Sequence, residues 1–197
     1  MTEYFVAPIV EGHGEVQAVP ILLRRFLAEL RDDAWVRVNP SLRIKAGSFL
    51  NDEAYFTKHL ELAARKAKKH ERGSVLILLD CDDACPAELG PEIAAKASAL
   101  RPDVPITVVL AYREYETWFL AAAQSLRGVA GLPNDLEPPP DIEAIRGAKG
   151  WLAARMPNGY NEPNDQPGFT ATFSFEEAAK LSSFSRLRAK LEQLFTR

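Results

Sequence analysis

The sequence predicts an α/β fold: an open, mainly parallel sheet of four strands with helices on both faces. Three observations predict it. Four apolar stretches of strand length alternate with stretches whose apolar residues recur at helical spacing. The third of them, SVLILLD at residues 74–80, is apolar until its last residue, as a strand buried on both faces should be. Strands one, three and four then run out into acid, at Glu11, at Asp80 with Asp82, and at Glu114. In such a sheet the C-terminal strand ends form the ligand crevice.

Taken in order, YFVAPIVE at residues 4–11 is a buried first strand ending at Glu11. The helix over 14–30 puts Val16, Val19, Leu22, Leu23, Phe26, Leu27 and Leu30 on one face. Pro20 suits only a first turn, so this helix is expected to start after Glu15. RVNPSLRI at 37–44 is a weak second strand. The helix over 51–70 has Asn51 or Asp52 as its cap. Its basic end, RKAKKHER at 65–72, reads as a solvated face where cations suit the helix dipole. After strand three, GPEIAAKASAL at 90–100 predicts a helix with Pro91 in its first turn. PITVVLAYRE at 105–114 is the fourth strand, and YETWFLAAAQSLRG at 115–128 a helix closed by Gly128. Trp118, Phe119 and Trp151 lie at helical positions and read as core.

Two regions follow: an α/β domain over 1–130 and an extension over 131–197. The extension holds a proline-rich connector at 132–141, a short helix over 141–156, an irregular stretch at 157–174 and a last helix over 183–195. It is expected to pack on the main sheet. Of the 197 residues, 47% are hydrophobic and 26% charged, the balance of a globular core with a charged surface. No apolar run spans a bilayer, and the N-terminus lacks signal-peptide character, so no membrane role and a cytoplasmic location are expected. Cys81 and Cys85 are read as reduced thiols, Cys81 buried. His13, His59 and His70 do not complete a zinc site with them. The net charge of −3 argues against a surface basic all over, though not against a local basic groove.

Crowding Asp80, Asp82 and Asp83 at one strand end costs free energy unless they are solvated, protonated or bound to a cation. Asp80 and Asp82 are two apart and share a face while the chain stays extended; Asp83 falls one residue off that face. With Glu11 they make hard oxygen donors suited to Mg²⁺ or Mn²⁺. Gly12 and Gly14 of EGHGE let the backbone pass close to a ligand before a helix N-terminus that favours phosphate. His13 reads as a solvated turn residue, with metal or phosphate contact as the alternative.

VEGHGE, followed two strands later by LLDCDD, resembles the TOPRIM domain, the metal-binding core of topoisomerases, primases and some nucleases. The resemblance covers residues 4–128 and implies a TOPRIM/Rossmann-like sheet. More narrowly, VEGHGEVQAVPILLRR, REYETWFLAA, AKGWL and DQPGFTA together resemble an uncharacterised bacterial family, domain-of-unknown-function family 4276, over most of the chain. Carried over residue by residue, Glu11 is a metal ligand or general acid–base, and Asp80 and Asp82 hold metal. Glu114, with Glu116 behind it, is the candidate for a second metal. Arg113 and Lys149 are candidate phosphate contacts, with pairing to nearby acids and solvent exposure as their respective alternatives.

The implied activity is divalent-metal-dependent hydrolysis of nucleic acid, DNA ahead of RNA, in genome defence with an ATPase partner. The chain is too short for the tyrosine module of a topoisomerase and shows no zinc-binding region of a primase. A homodimer is allowed. Two alternatives stay open. One is a non-catalytic metal- or nucleic-acid-binding module serving an ATPase. The other is a phosphohydrolase of the haloacid-dehalogenase type, whose Asp-x-Asp motif LLDCDD also resembles.

Overall fold

A computed structural model describes residues 1–196. The chain runs β1 (Thr2–Val10), α1 (Glu15–Leu30), β2 (Ala34–Val38), β3 (Leu42–Arg43), α2 (Ala46–Asn51), α3 (Glu53–Ala67), β4 (Gly73–Asp80), α4 (Pro86–Leu100) and β5 (Ile106–Ala111). All strand pairs are parallel, in the order β2-β1-β4-β5. β3 also pairs with β1, opposite Ile9 and Val10. The sheet therefore has five strands rather than the expected four, because the weak second strand is broken. Pro40 has no N–H to give a ladder, so pairing lapses after Asn39 N–H meets Val6 O (2.9 Å) and resumes at β3.

The sheet carries a core on each face, sorted by the two-residue period of the strands. Tyr4, Val6, Val10, Leu76, Leu78, Val109 and Ala111 face α1 and the C-terminal third of the chain. Phe5, Ala7, Ile9, Val75, Ile77, Leu79, Val108 and Leu110 face α2, α3 and α4. Trp118 and Phe119 are fully buried in the first of these cores.

Two prolines sit deeper in helices than the sequence reading allowed. α1 starts at Glu15 and keeps Pro20 inside. The Val16 carbonyl, left without the donor that Pro20 lacks, accepts the Ser41 hydroxyl instead (3.2 Å). α4 starts at Pro86, and this proline, rather than Pro91, occupies the first turn.

After β5 come α5 (Thr117–Ala121), a 3₁₀ turn at Ala123–Leu126, α6 (Ala148–Ala153), α7 (Glu162–Thr172), α8 (Phe175–Ala178) and α9 (Ser182–Phe195). α5 and α6 are shorter than expected. α7 corrects the irregular reading of 157–174. Asn161 caps it, its side chain accepting Asn164 N–H (3.2 Å) while Asp165 accepts Asn161 N–H (2.6 Å). Phe169, Phe173, Phe175 and Phe184 then lock the extension into the same core as Tyr115, Trp118 and Phe119, with Phe184 edge-on to Trp118 at 5.3 Å. Cys81 is buried and Cys85 exposed, both free thiols. Among the described residues no helix is long and apolar enough to cross a membrane.

Candidate functional site

The EGHGE turn joins β1 to α1 at the C-terminal edge of the sheet, and two carboxylates satisfy its backbone. Glu15 Oε2 accepts the N–H groups of Glu11 (3.0 Å) and Gly12 (2.9 Å). Glu162, from α7, accepts the N–H of Gly14 (3.0 Å). The turn has the donors of an anion site, and in this structure side-chain carboxylates take them. The glycines serve this closure. A Cβ at Gly14 would overlap Gln166 Oε1 and stand 2.6 Å from the Glu162 backbone oxygen; one at Gly12 would stand 2.7 Å from Glu162 Oε1. The close approach expected of a ligand is made by α7. His13 itself is exposed.

Asp80 ends β4 on the α1 side, in phase with Leu76 and Leu78. Its Oδ1 accepts Tyr115 N–H at 2.8 Å. Burial pushes its carboxyl well above the usual range, and the charges of Glu15 and Glu116 push the same way. Asp82 does not share its face. The strand ends at Asp80, and Asp82 turns into the left-handed region at φ 47°, so two-residue alternation no longer applies. Opposite it, Arg113 is also left-handed at φ 60°, and Asp82 N–H donates to Arg113 O (3.2 Å). Asp82 stands at the exposed rim, and its charge reaches Glu11.

Glu11 is half-buried and has its carboxyl raised by burial first and by Asp82 next. Among the described residues no three His, Cys, Asp or Glu side chains stand close enough to hold a metal ion together.

The two glutamates after β5 differ in burial and in partners. β5 stops at Ala111, so Glu114 lies in the following turn, where it accepts Lys149 N–H (3.1 Å). Glu116 is the enclosed one, at 0% exposure. Its Oε1 accepts Tyr160 O–H (2.9 Å) and Gln166 Nε2–H (3.1 Å), and burial pushes its carboxyl up to about 7. Glu15 is also pushed up to about 7, chiefly by burial.

Lys149, delivered by α6, sits among these acids. Its Nζ lies 3.0 Å from Glu162 Oε2 and 3.8 Å from Glu116 Oε2, and its charge acts on Asp80, Glu11 and Glu15. Burial alone would lower the pKa of the ammonium, but Glu116, Glu162 and Asp80 hold it above its ordinary value. Beside this cluster is a cleft of about 90 Å³ lined by Asp82, Asp83, Arg113, Glu114 and Arg146. Arg113 and Arg146 both pair with Asp83, at 3.3 and 3.1 Å, and Arg113 Nε–H donates to Glu143 O (3.0 Å).

A family model described as a domain of unknown function (DUF4276) matches residues 10–192. The chain belongs to that family. No curated protein and no solved structure matches it significantly. The DUF4276 match starts at the last residue of β1 and ends within α9, so it takes in Glu11, Asp80, Glu116, Lys149 and Glu162. The cluster is thus assembled wholly from DUF4276 residues, the extension included. Sequence reasoning missed Glu15, Glu162 and Arg146. Glu15 has the look of a dipole-favoured first-turn acid. The signal for Glu162 was the Asn161 cap with Pro163 in the first turn, which marks a helix start in a stretch otherwise dense in turn residues.

Proposed function

We propose that the chain is a TOPRIM-like hydrolase of nucleic-acid phosphodiesters that works with Mg²⁺ or Mn²⁺. One observation carries the reading: carboxylates from separate elements, Glu11, Glu15, Asp80, Glu116 and Glu162, gather around a single ammonium at the C-terminal edge of a parallel sheet. That excess of negative charge suits a divalent cation. The donor chemistry fits as well, since every acid offers hard oxygen. A ready-made cage of three protein ligands is not needed. Mg²⁺ keeps several waters and is commonly held by one or two carboxylates together with substrate phosphate.

Asp80 and Glu11 would hold the ion, with Glu116 behind them and Asp82 at the rim. A bound divalent ion activates water and neutralises charge on the leaving oxygen. Glu11, half-buried with a raised pKa, would take a proton from that water. Arg113 and Arg146 line the adjoining cleft and would meet a phosphate on leaving Asp83.

The test is single-turnover cleavage of labelled single- and double-stranded DNA and RNA with Mn²⁺, wild type against Glu11→Gln. The expected loss is about 10²–10⁴-fold in rate, with nucleic-acid affinity kept or raised. If wild type cuts none of these substrates, alone or with an ATPase partner, the non-catalytic binding module replaces the nuclease. Equal cutting by both proteins would place the activity away from Glu11.

A further inference from the structure

We infer that Lys149 is the resident cation of the acid cluster, a tethered ammonium that a divalent ion must displace in order to enter. The inference rests on the metal-dependent reading above and adds a regulation to it. The ammonium fits its acids imperfectly. Glu162 Oε2 is in hydrogen-bond range of Lys149 Nζ at 3.0 Å, whereas Glu116 Oε2 stands 3.8 Å away. That distance is too long for a hydrogen bond. Glu116 is fully enclosed, and its Oε2 has no hydrogen-bond partner. A buried carboxylate oxygen aimed at a cation it does not reach is costly to leave so. It marks room for a cation that binds closer than an ammonium on a four-carbon stem.

The same side chain is free to leave. Lys149 is 37% exposed, and Glu162, its closest partner, is 23% exposed. Ion pairs open to water contribute little, so separating this one is a small cost beside the attraction of a doubly charged ion for the same acids. The backbone of Lys149 stays fixed meanwhile, through its N–H to Glu114 Oε2. The released ammonium would then swing about an anchored Cα beside the cleft that carries Arg113 and Arg146. The charges facing it are those of Glu162 on α7, Glu116 before α5, Asp80 on β4, Glu15 on α1 and Glu11 after β1. An ammonium and a divalent ion held together among them repel each other. Metal in and lysine in are therefore competing states.

Two measurements test this. Calorimetric titration with Mg²⁺ and Mn²⁺ compares wild type, Lys149→Arg and Lys149→Met. The expectation is binding at least about tenfold tighter in Lys149→Met, because a like charge has gone, and wild-type affinity in Lys149→Arg. Metal binding by wild type that is not tightened in Lys149→Met overturns the inference and leaves the metal site standing. No metal binding by any of the three proteins overturns the metal-dependent reading itself. Should Lys149→Met fail to fold, amine-selective acylation of wild type, read by peptide mass spectrometry, decides the matter. Saturating Mg²⁺ should speed labelling of Lys149 several-fold and leave Lys58 and Lys180 unchanged. Unchanged or slower labelling of Lys149, with the metal shown to be bound, refutes displacement.

Discussion

Gly14→Ala isolates the contact between the EGHGE turn and α7. The backbone at Gly14 has φ −68° and ψ −38°, which alanine adopts freely, so no conformational strain enters. The added methyl meets Gln166 Oε1, and 2.6 Å away the Glu162 backbone oxygen. A side-chain amide can rotate aside; a helix carbonyl moves only with its helix. Overpacking costs typically 1–3 kcal/mol, and an obstacle made of backbone puts this substitution at the upper end, about 3 kcal/mol. For a chain of this size that lowers Tm by roughly 6–12 °C.

Gly12→Ala meets only the carboxylate ends of Glu162 and Glu15 and should cost about 1 kcal/mol or less. Gly47→Ala, in α2 with open space around it, should be neutral or slightly stabilising. The assay is thermal unfolding of the three variants in chelator, without metal or nucleic acid. A Gly14→Ala protein as stable as Gly47→Ala would refute the reasoning. It would mean that α7 does not seat on the turn, and that Gly14 is there for a ligand.

Three further outcomes are expected. Glu116, raised to about 7 from an ordinary 4.5, binds its proton more tightly folded than unfolded. Its stabilising contribution is complete below pH 4.5 and is lost as pH rises through about 7, on the order of 3 kcal/mol at 1.36 kcal/mol per pH unit. Urea unfolding in chelator from pH 5 to 8 should therefore show a shallower decline for Glu116→Gln than for wild type, and identical profiles would refute the assignment. Ser41→Ala, by leaving the Val16 carbonyl without its hydroxyl donor, should cost about 1 kcal/mol in the same assay. Phe184→Ala empties a fully buried site between Trp118 and Phe173. It should cost about 3–5 kcal/mol and unfold the chain in one transition, whereas two separated transitions would show that the extension folds apart from the sheet.

The sheet was legible because burial on both faces demands unbroken apolar runs, and β1, β4 and β5 supply them. Helix ends were less so. Pro20 reads locally as a breaker, and only Ser41, a residue distant in sequence, shows why it is tolerated. α7 hid behind Pro163, Asn164 and Pro167, which score as a loop; the pair Phe169 and Phe173, four residues apart and both buried, was the helical signal. At the site, the strand-end rule pointed to Glu11 and Asp80, which stand after β1 and at the end of β4 on one edge of the sheet. Alternation could not place Asp82, since it holds only while the chain is extended and residue 82 is left-handed, with its N–H on the facing Arg113 carbonyl. The same rule ranked Glu114 above Glu116, and proximity to a strand end carries no information about which side chain a later helix covers.

The acids arrive at very different times as the chain is made. Residue 80 is synthesised long before Lys149 and Glu162, by about 3–14 s and about 4–16 s respectively at ~5–20 residues per second. Through that interval the nascent chain can pair β1 with β4, but the Asp80 carboxyl still faces water with no lysine near it and no α7 over the EGHGE turn. The acid centre closes from its C-terminal side. A chain ending anywhere between residues 112 and 148 would carry all five strands together with Glu11, Glu15 and Asp80, but not the lysine whose charge offsets theirs.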